Sequence, residues 1–380
     1  AVHKPKGITS ASVLRDLQTH FNPSTLFAPW LSQERYNRSQ EPQHARRRRR
    51  HANRLEVKIG HGGTLDPLAT GILVAGVGRG TKHLNSFLGC TKTYEAVFLF
   101  GAETDTYDCL GKVVKKAPYE HITREKVEDA LAAFRGSIMQ RPPIFSALRV
   151  NGKKLYEYAR EGKEPPVEIK SRPVEVLDLG VVEWFEPGTH EWEWPVEEVV
   201  GEEKVVAERL LEREEREGKG GAAAGGEGVE EGRKRKDAPG EEDGEAAKKV
   251  KGVDGEAVVA EEKVEVAAEK MEEGAEKKDE VAENKTEEAD QGKEAEKKPQ
   301  PPAVKITMTV SSGFYVRSLA HDLGRALGSC GLMSELVRSR QADFVLEPEK
   351  VLEYKDLEAG EEVWGPKVQG FLEDWERKRL

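Results

Sequence analysis

The chain has 380 residues, enough for one large domain or two smaller ones, and no stretch approaches the run of about 18 apolar residues that a membrane span requires. Its three cysteines, Cys90, Cys109 and Cys330, lie far apart without a CxxC pair or a histidine at metal-ligand spacing. This pattern indicates a reducing compartment and argues against disulfides or structural zinc. The formal net charge of −10 argues at first against a nucleic-acid partner.

The charge is distributed unevenly along the chain. Residues 186–300 carry a net charge of −17, which leaves +7 for the rest of the chain. The rest is therefore basic and compatible with binding to RNA phosphates. We predict one globular domain made of residues 1–185 and 304–380, interrupted by two insertions.

The first predicted insertion spans residues 21–55 and is basic. It contains QEPQHARRRRRHANR, in which positions 46–50 form an unbroken run of arginine. Two interpretations stay open for this run: a segment that binds phosphates or directs nuclear import, and a solvated loop without a specific partner.

A glycine-rich loop follows, with the sequence HGGTLDPLATG at 61–71 and GILVAGVGRGTK at 71–82. The second stretch lacks the GK[ST] of a phosphate loop, and its glycines do not fit the GxGxxG spacing of a dinucleotide site. Glycines permit positive φ angles and the close approach of another backbone, and RNA is one such partner. Taken alone, Asp66 is most simply a turn residue before Pro67.

The following segments mix strands and helices. TYEAVFLFG at 93–101 and VEVLDLGVVEWF at 174–185 are typical of strands, and TREKVEDALAAFRG at 123–136 is typical of a helix with Thr123 as its N-cap. KITMTVSSGFYVRSLAHDLG at 305–324 predicts a strand followed by a helix. Without regular βαβ alternation, we expect an α+β fold with a central mixed, mostly antiparallel sheet flanked by helices.

The second predicted insertion spans residues 186–303 and consists largely of Glu, Lys, Ala and Gly. It has too few large apolar side chains to offset the entropy of ordering, so we expect it to be mostly disordered. A solvated helix held by Glu and Lys at helical spacing is the alternative. Two basic clusters in it, at 233–236 and 248–251, are spaced as in a bipartite nuclear import signal.

Five motifs together resemble a known family. They are HKPKGITS (3–10), GHGGTLDPLATGILVAGVGRGTK (60–82), KTYEAVFLFGAETDTYDCLG (92–111), QRPPIFSALRVNGKKLYEYAREG (140–162) and SSGFYVRSLAHDLG (311–324). In this order they resemble the TruB-type pseudouridine synthases, which isomerise uridine at position 55 in the T-loop of tRNA. The resemblance covers nearly all of the globular part and neither insertion, and it is strongest to the eukaryotic, fungal, stand-alone enzymes. It implies the pseudouridine synthase fold.

The resemblance implies three catalytic residues. Asp66 corresponds to the essential carboxylate of the family's GGTLDP motif, which acts while the bond between C1′ and N1 breaks, the uracil rotates and C5 joins C1′. Arg317 corresponds to the arginine of the SGxYxRS motif, and a cation beside a buried carboxylate keeps its pKa low. Tyr94 corresponds to a tyrosine that lies against the base and takes part in proton transfer; a core aromatic is the alternative.

The remaining predicted site residues bind substrate. His61 corresponds to a residue that holds the opened T-loop, and Asp108 to an acid near the flipped uracil, with a turn aspartate as the alternative. The loop residues Gly62, Gly63 and Thr64 would approach the RNA. For the basic surface that contacts phosphates, our candidates are Lys4, Lys6, Arg141 and Arg149, each of which is alternatively an ordinary solvated charge.

The resemblance also implies partners and a cellular location. It implies neither cofactor nor metal, a substrate in the T-arm of tRNA with messenger RNA left open, no obligatory protein partner, and a monomer. Localisation is expected in the nucleus, with the mitochondrion as a second site. Two alternatives remain: a tRNA chaperone that binds without chemistry, and a synthase that depends on a guide RNA.

Two departures from the bacterial family pattern are visible. Phe314 stands where many relatives have threonine in SGTYIRS, which leaves Arg317 in place but changes the packing beneath it. Residues 325–380 must complete the catalytic domain, so we expect no complete PUA domain after them.

Overall fold

The computed structural model describes residues 1–41, 55–143, 145–146, 148–161, 166–167, 169–200 and 300–379. The arginine run at 46–50 and the basic clusters at 233–236 and 248–251 lie outside the described residues.

The strands form one large sheet and three small hairpin-like pairs. Their bounds are β1 (Val2–Lys4), β2 (Ile59–His61), β3 (Thr70–Leu73), β4 (Ala75–Val77), β5 (Lys92–Phe100), β6 (Ala102–Thr104), β7 (Val113–Lys116), β8 (Gly136–Gln140), β9 (Arg149–Val150), β10 (Lys153–Lys154), β11 (Arg172–Phe185), β12 (Ala303–Val310), β13 (Gly331–Gln341) and β14 (Phe344–Val345).

The large sheet has the order β1-β3-β13-β5-β12-β11-β8, with β14 paired to β13. Every neighbouring pair is antiparallel except β13 with β3, which is parallel. Buried residues recur at every second position over most of β12, which is the pattern of a strand with one face against the core. The expected mixed, mostly antiparallel sheet is confirmed.

The helices cover the sheet and complete a second core. Their bounds are α1 (Ser10–Phe21), α2 (Ala28–Ser39), α3 (Leu84–Gly89), α4 (Arg124–Leu131), α5 (Leu155–Arg160), α6 (Val316–Ala326), α7 (Tyr354–Glu358) and α8 (Glu361–Arg379). The predicted N-cap of α4 is confirmed, because the Thr123 side chain accepts a hydrogen bond from the Lys126 amide. The α6 helix packs on the central sheet beside Phe98 and Met333.

Part of the first predicted insertion belongs to the domain. Phe21, Phe27 and Leu31 are buried in the core that α1 forms with β1 and with Trp364 of α8. Residues 21–39 therefore continue the fold as the end of α1 and as α2, and the rest of the predicted insertion, at 42–54, lies outside the described residues. The sequence does contain the apolar residues Phe21, Phe27 and Leu31. The prediction gave more weight to the arginine run at 46–50 than to these residues.

The start of the second predicted insertion is also displaced. Trp192 and Trp194 pack against a small core that includes Val97 and Val113, and the Trp194 indole donates a hydrogen bond to the carbonyl of Phe100 at 2.9 Å. The Val113 amide donates to Glu197 at 2.8 Å. Residues 186–200 therefore cover the end of the sheet, and the boundary predicted at 186 is too early.

Candidate active site

Asp66 lies in the loop between β2 and β3, at the first position of a tight turn. The Ala69 amide donates to the Asp66 carbonyl at 3.0 Å, and Pro67 occupies the second turn position that it favours. The preceding residue is fixed to α1, because Leu65 exchanges two hydrogen bonds with the Ser10 hydroxyl at 2.9 and 3.1 Å. The turn keeps the Asp66 carboxylate about one third exposed.

Lys4 holds this turn from beneath. Its ammonium donates to the carbonyls of Pro5 at 2.8 Å, Pro67 at 3.1 Å and Ala69 at 2.6 Å, and the residue is fully buried. Burial lowers its pKa to about 8, while the nearby Asp66 opposes the shift. The prediction that Lys4 belongs to a surface that contacts RNA phosphates is wrong, because its three donors are directed at backbone carbonyls inside the domain.

Arg338 of β13 is a second internal support, and the sequence analysis did not find it. It donates to the carbonyls of Ile72 at 2.7 Å, Gly63 at 3.1 Å and Thr64 at 3.5 Å, with 1% of its surface exposed. It thus joins the start of the aspartate loop to the strand that follows the loop. In the sequence Arg338 is one of two arginines in VRSR, and nothing local distinguishes the buried one.

Arg317, at the start of α6, pairs with Asp66. Its Nε lies 2.9 Å from the Asp66 Oδ2, and its Nη2 lies 3.4 Å from the Oδ1. The guanidinium also donates to the carbonyls of Thr106 at 3.0 Å and Phe145 at 3.1 Å. Because the arginine side chain is only 8% exposed while the carboxylate is one third exposed, the pair presents a fixed anion to solvent.

The start of α6 is itself fixed by the motif QRPPIF. The Gln140 side chain donates to the Tyr315 carbonyl at 2.9 Å and accepts from the Tyr315 amide at 2.7 Å. No side chain caps the helix at Tyr315, so this amide pair satisfies backbone groups beside the helix terminus. Phe314, the departure from the family pattern, packs at the edge of the core beside Val316.

Asp108 lies behind Arg317 and is 5% exposed. Its Oδ1 accepts from the Thr106 hydroxyl at 2.8 Å and from the Leu110 amide at 3.0 Å, and its Oδ2 lies 3.6 Å from Arg317 Nη1. Burial raises the pKa of this carboxyl, whereas Arg317 lowers it. In this position Asp108 lies beside Arg317, and the turn hydrogen bonds of the alternative interpretation are present; its role near the uracil stays a prediction.

Tyr94 of β5 is 8% exposed. Burial raises its pKa, and a side-chain hydrogen bond with Arg338 opposes that shift, with Asp66 raising it further. The phenol therefore stays protonated at neutral pH and can donate or accept a hydrogen bond. Tyr94 also packs in the main core with Leu65 and Leu68, as the core-aromatic interpretation expects, and its role against the base stays a prediction.

The glycines before Asp66 permit close packing. A Cβ at Gly62 would lie 2.6 Å from the Phe87 Cβ, and the Gly62 carbonyl accepts from Gln341 at 2.6 Å. Gly63 has a φ of 138°, which disfavours a side chain. His61 is half-buried and its Nδ1 accepts from the Gly63 amide at 3.4 Å, while Thr64 is exposed beside the loop.

The other basic candidates lie in different environments. Lys6 is exposed and close enough to Cys109 to lower the pKa of that thiol, against the larger effect of burial. Arg149 is exposed on β9, and Arg141 is half-buried, with its carbonyl accepting from the Ser318 hydroxyl at 3.2 Å. Lys6 and Arg149 keep their predicted place on the surface.

Chemically, the site offers one oriented carboxylate with a buried cation behind it and a buried phenol nearby. Among the described residues, no group of three or more His, Cys, Asp and Glu side chains is arranged to hold a metal ion. Within the same residues, no helix combines the length and apolar character needed to cross a bilayer. A single fixed carboxylate can attack a carbon as a nucleophile, or it can stabilise positive charge that develops on a carbon when one of its bonds breaks.

The α+β fold and the Asp–Arg pair fit a synthase of the pseudouridine class, and comparisons with known proteins show that class. The sequence pattern of TruB family pseudouridylate synthase (N terminal domain) matches residues 48–200. The chain is 39% identical to tRNA pseudouridine synthase 4 of Schizosaccharomyces pombe over 94% of this chain and 82% of that protein. It is 30% identical to tRNA pseudouridine synthase 4 of Saccharomyces cerevisiae over 98% and 84%. The chain belongs to the TruB family of pseudouridine synthases.

A solved structure, a Cbf5-Nop10-Gar1 complex, is similar to this chain with a TM-score of 0.39 and 17% identity. The match covers 93% of this chain and 51% of that one.

Proposed function

We propose that this protein isomerises uridine to pseudouridine in the T-loop of tRNA. The observation that carries the proposal is the pair of Asp66 and Arg317, 251 residues apart in sequence and joined at 2.9 Å and 3.4 Å in the fold. Membership of the TruB family and the similarity to two fungal tRNA pseudouridine synthases support a tRNA substrate.

In the proposed mechanism the target uridine is flipped out of its stack, because a carboxylate cannot reach a stacked base. Asp66 acts on the sugar-base linkage as a nucleophile or by stabilising positive charge at C1′. The bond from C1′ to N1 breaks, the uracil rotates while it is held, and C5 joins C1′. The proton on C5 then leaves and N1 gains one, so that the product is an isomer of the substrate.

Arg317 holds the Asp66 carboxylate in one orientation through these steps. Its remaining donors are occupied by the carbonyls of Thr106 and Phe145, so the guanidinium has no freedom to turn away. Tyr94 holds a phenol proton at neutral pH and is positioned by Arg338, which fits a role against the base.

The proposed phosphate surface uses Lys6 and Arg149, with Lys4 removed from it. Contacts of this kind position an RNA and do not read its sequence. We propose further that the enzyme acts as a monomer without a protein partner, that it works in the nucleus with the mitochondrion as a second location, and that messenger RNA uridines are additional substrates. The basic clusters at 233–236 and 248–251 support the nuclear assignment.

The decisive experiment compares wild type and Asp66→Asn on an unmodified tRNA transcript without added protein or guide RNA. Asp178→Asn, an exposed aspartate on β11, is the matched control. We expect pseudouridine in the T-loop from wild type and Asp178→Asn, and a loss of at least about a thousandfold in Asp66→Asn with tRNA binding retained.

Other outcomes would identify the alternatives. A wild type that binds tRNA without forming product would favour a chaperone or a guide-dependent synthase over the proposed activity. Product formed equally by Asp66→Asn would remove Asp66 from the mechanism.

A further inference from the structure

The α6 helix faces the loop after β6 with three residues one turn apart. Arg317, His321 and Arg325 stand at positions i, i+4 and i+8, which places them on one side of a helix. Arg317 contacts the loop at Thr106. His321 and Arg325 approach Glu103, in the middle of β6, with Nδ1 and Nε at 3.5 and 3.8 Å from its Oε2.

The loop at 105–108 contains a residue in an uncommon backbone conformation. Tyr107 has a φ of 65°, in the left-handed region that few residues other than glycine occupy. Its ring is stacked on the His321 imidazole with centroids 4.0 Å apart and planes at 20°. Such a conformation persists only where surrounding contacts enforce it, and here the stack on His321 and packing with Val114 and Val199 surround the Tyr107 ring.

The same loop supplies two partners of Arg317. The Thr106 carbonyl accepts from Nη1 at 3.0 Å, and the Asp108 carboxylate lies 3.6 Å from that nitrogen. The backbone is joined to β13, since the Met333 amide donates to Tyr107 at 3.0 Å and the Cys109 amide donates to Met333 at 3.0 Å. A change in the Tyr107 conformation would therefore move the carbonyl and the carboxylate that orient Arg317.

His321 and Glu103 are buried at 3% and 1% side-chain exposure, and neither takes part in the proposed chemistry. Burial lowers the pKa of His321, with Arg325 and Lys115 contributing, so the imidazole is neutral at pH 7. The neutral His321 imidazole can stack on the Tyr107 phenol without the free-energy cost of burying a positive charge on the ring. Burying charged and polar side chains such as Glu103 and His321 costs free energy of folding. The position of this cluster beneath the loop at 105–108 suggests that it supports the loop.

We propose that His321 is a positioning residue of the synthase: its stack on Tyr107 fixes the loop at 105–108, and the loop fixes Arg317 against Asp66. This inference rests on the proposed function, in which Asp66 is the catalytic carboxylate. His321 does not touch the substrate in this scheme, and it acts through Tyr107, Thr106 and Arg317.

The test is a set of variants assayed on the same tRNA transcript. We expect His321→Ala to lower kcat about tenfold with KM within twofold, because the loosened loop misplaces Arg317 in the chemical step. His321→Phe keeps a flat ring beneath Tyr107 and should recover kcat to within about threefold of wild type. Tyr107→Leu should behave like His321→Ala, and Tyr107→Phe like wild type.

A control separates this effect from a general loss of stability. His190→Ala truncates a half-buried histidine in the segment after β11. The centroid of its ring lies 5.2 Å from that of Trp192. We expect it to leave kcat unchanged after correction for the folded fraction. Hydrogen exchange of residues 104–109 should rise in His321→Ala and Tyr107→Leu and stay at the wild-type level in His190→Ala.

The proposal is overturned if folded His321→Ala retains full kcat, if only its KM changes, or if His321→Phe fails to recover kcat. If His321→Ala does not fold, the comparison of Tyr107→Leu with Tyr107→Phe decides in the same way. Asp66→Asn is run alongside: an active Asp66→Asn would sink the proposed function, whereas an inactive one with a fully active His321→Ala would sink this inference alone.

Discussion

At the scale of single residues, the candidate site is held by long cationic side chains that are buried inside the domain. Lys4, Arg317 and Arg338 are all buried, and together they donate to ten oxygens around the Asp66 loop and its neighbours. A buried cation without such partners would be strongly destabilising. Each of these residues therefore orders the backbone that it contacts, and each should be sensitive to replacement by a similar charge of different shape.

Arg317→Lys tests shape against charge. Lysine keeps the positive charge but cannot reproduce a fork that contacts Asp66, Thr106 and Phe145 together. We expect kcat to fall about a hundredfold with KM for tRNA within threefold, measured by product formation at saturating and limiting tRNA. Arg135→Lys, at an exposed arginine that donates to the Leu179 carbonyl at 3.0 Å, is the control and should stay within twofold. Equal losses in both variants would contradict the prediction.

Lys4 should show its burial in the pH dependence of stability. Its pKa is lowered from 10.5 to about 8 in the folded protein. Between these pH values the unfolded chain keeps the Lys4 proton that the folded protein has released. The contribution of Lys4 to the free energy of unfolding therefore increases as the pH rises from 8 to 10. Urea unfolding of wild type and Lys4→Met at pH 7, 8, 9 and 10 measures this. The difference should move in favour of wild type with rising pH, and a constant difference would refute the assignment.

At the scale of secondary-structure elements, the position of α6 on the sheet determines where Arg317 lies. Gly324 of α6 meets the backbone at the start of β13 so closely that a Cβ there would collide with Cys330 and Gly331. The helix can approach the strand only because neither Gly324 nor Gly331 has a side chain. Arg317 is thus placed by two glycines that lie outside the candidate site.

Gly324→Ala and Gly370→Ala form a matched pair with opposite expected signs. At Gly324 the added methyl pushes α6 from β13, which should lower the free energy of unfolding by about 1–3 kcal/mol and reduce kcat. At Gly370 of α8 nothing lies within 4 Å of the new Cβ, so alanine should stabilise the helix by up to about 1 kcal/mol. Thermal unfolding of both variants tests the pair; stabilisation by Gly324→Ala would show that the contact is not tight.

At the scale of the whole molecule, the acidic segment and the catalytic domain divide the charge between them. Residues 201–299 carry a net charge of −12, which leaves +2 for the rest. This net positive charge is smaller than the +7 expected when the acidic segment was predicted to begin at residue 186. The difference arises because the acidic residues at 186–200 belong to the domain. Electrostatic attraction of RNA therefore depends on where the basic residues lie more than on their number.

Replacing residues 201–299 with a short Gly/Ser linker tests the role of the acidic segment. We expect kcat within threefold of wild type, because β11 and β12 still pair from Phe185 with Ala303 onward. Affinity for random RNA should rise and become more dependent on salt, since a net −12 has been removed. A neutral Gly/Ser segment of the original length separates charge from chain length. Unchanged affinity and salt dependence in both proteins would reject screening by this segment.

The sequence by itself determined the family, the positions of three main strands and the candidate residues Asp66, Tyr94 and Arg317, because long motifs in order and strand-like residue patterns are local signals. Only the tertiary structure decided which cations are buried. Lys4 meets oxygens 63 and 65 residues away, and Arg338 meets carbonyls 266 to 275 residues away, so their environment is set by contacts that no local pattern encodes. The same holds for Trp192 and Trp194: their acidic neighbours indicated a disordered segment, whereas packing on the sheet end made them part of the domain.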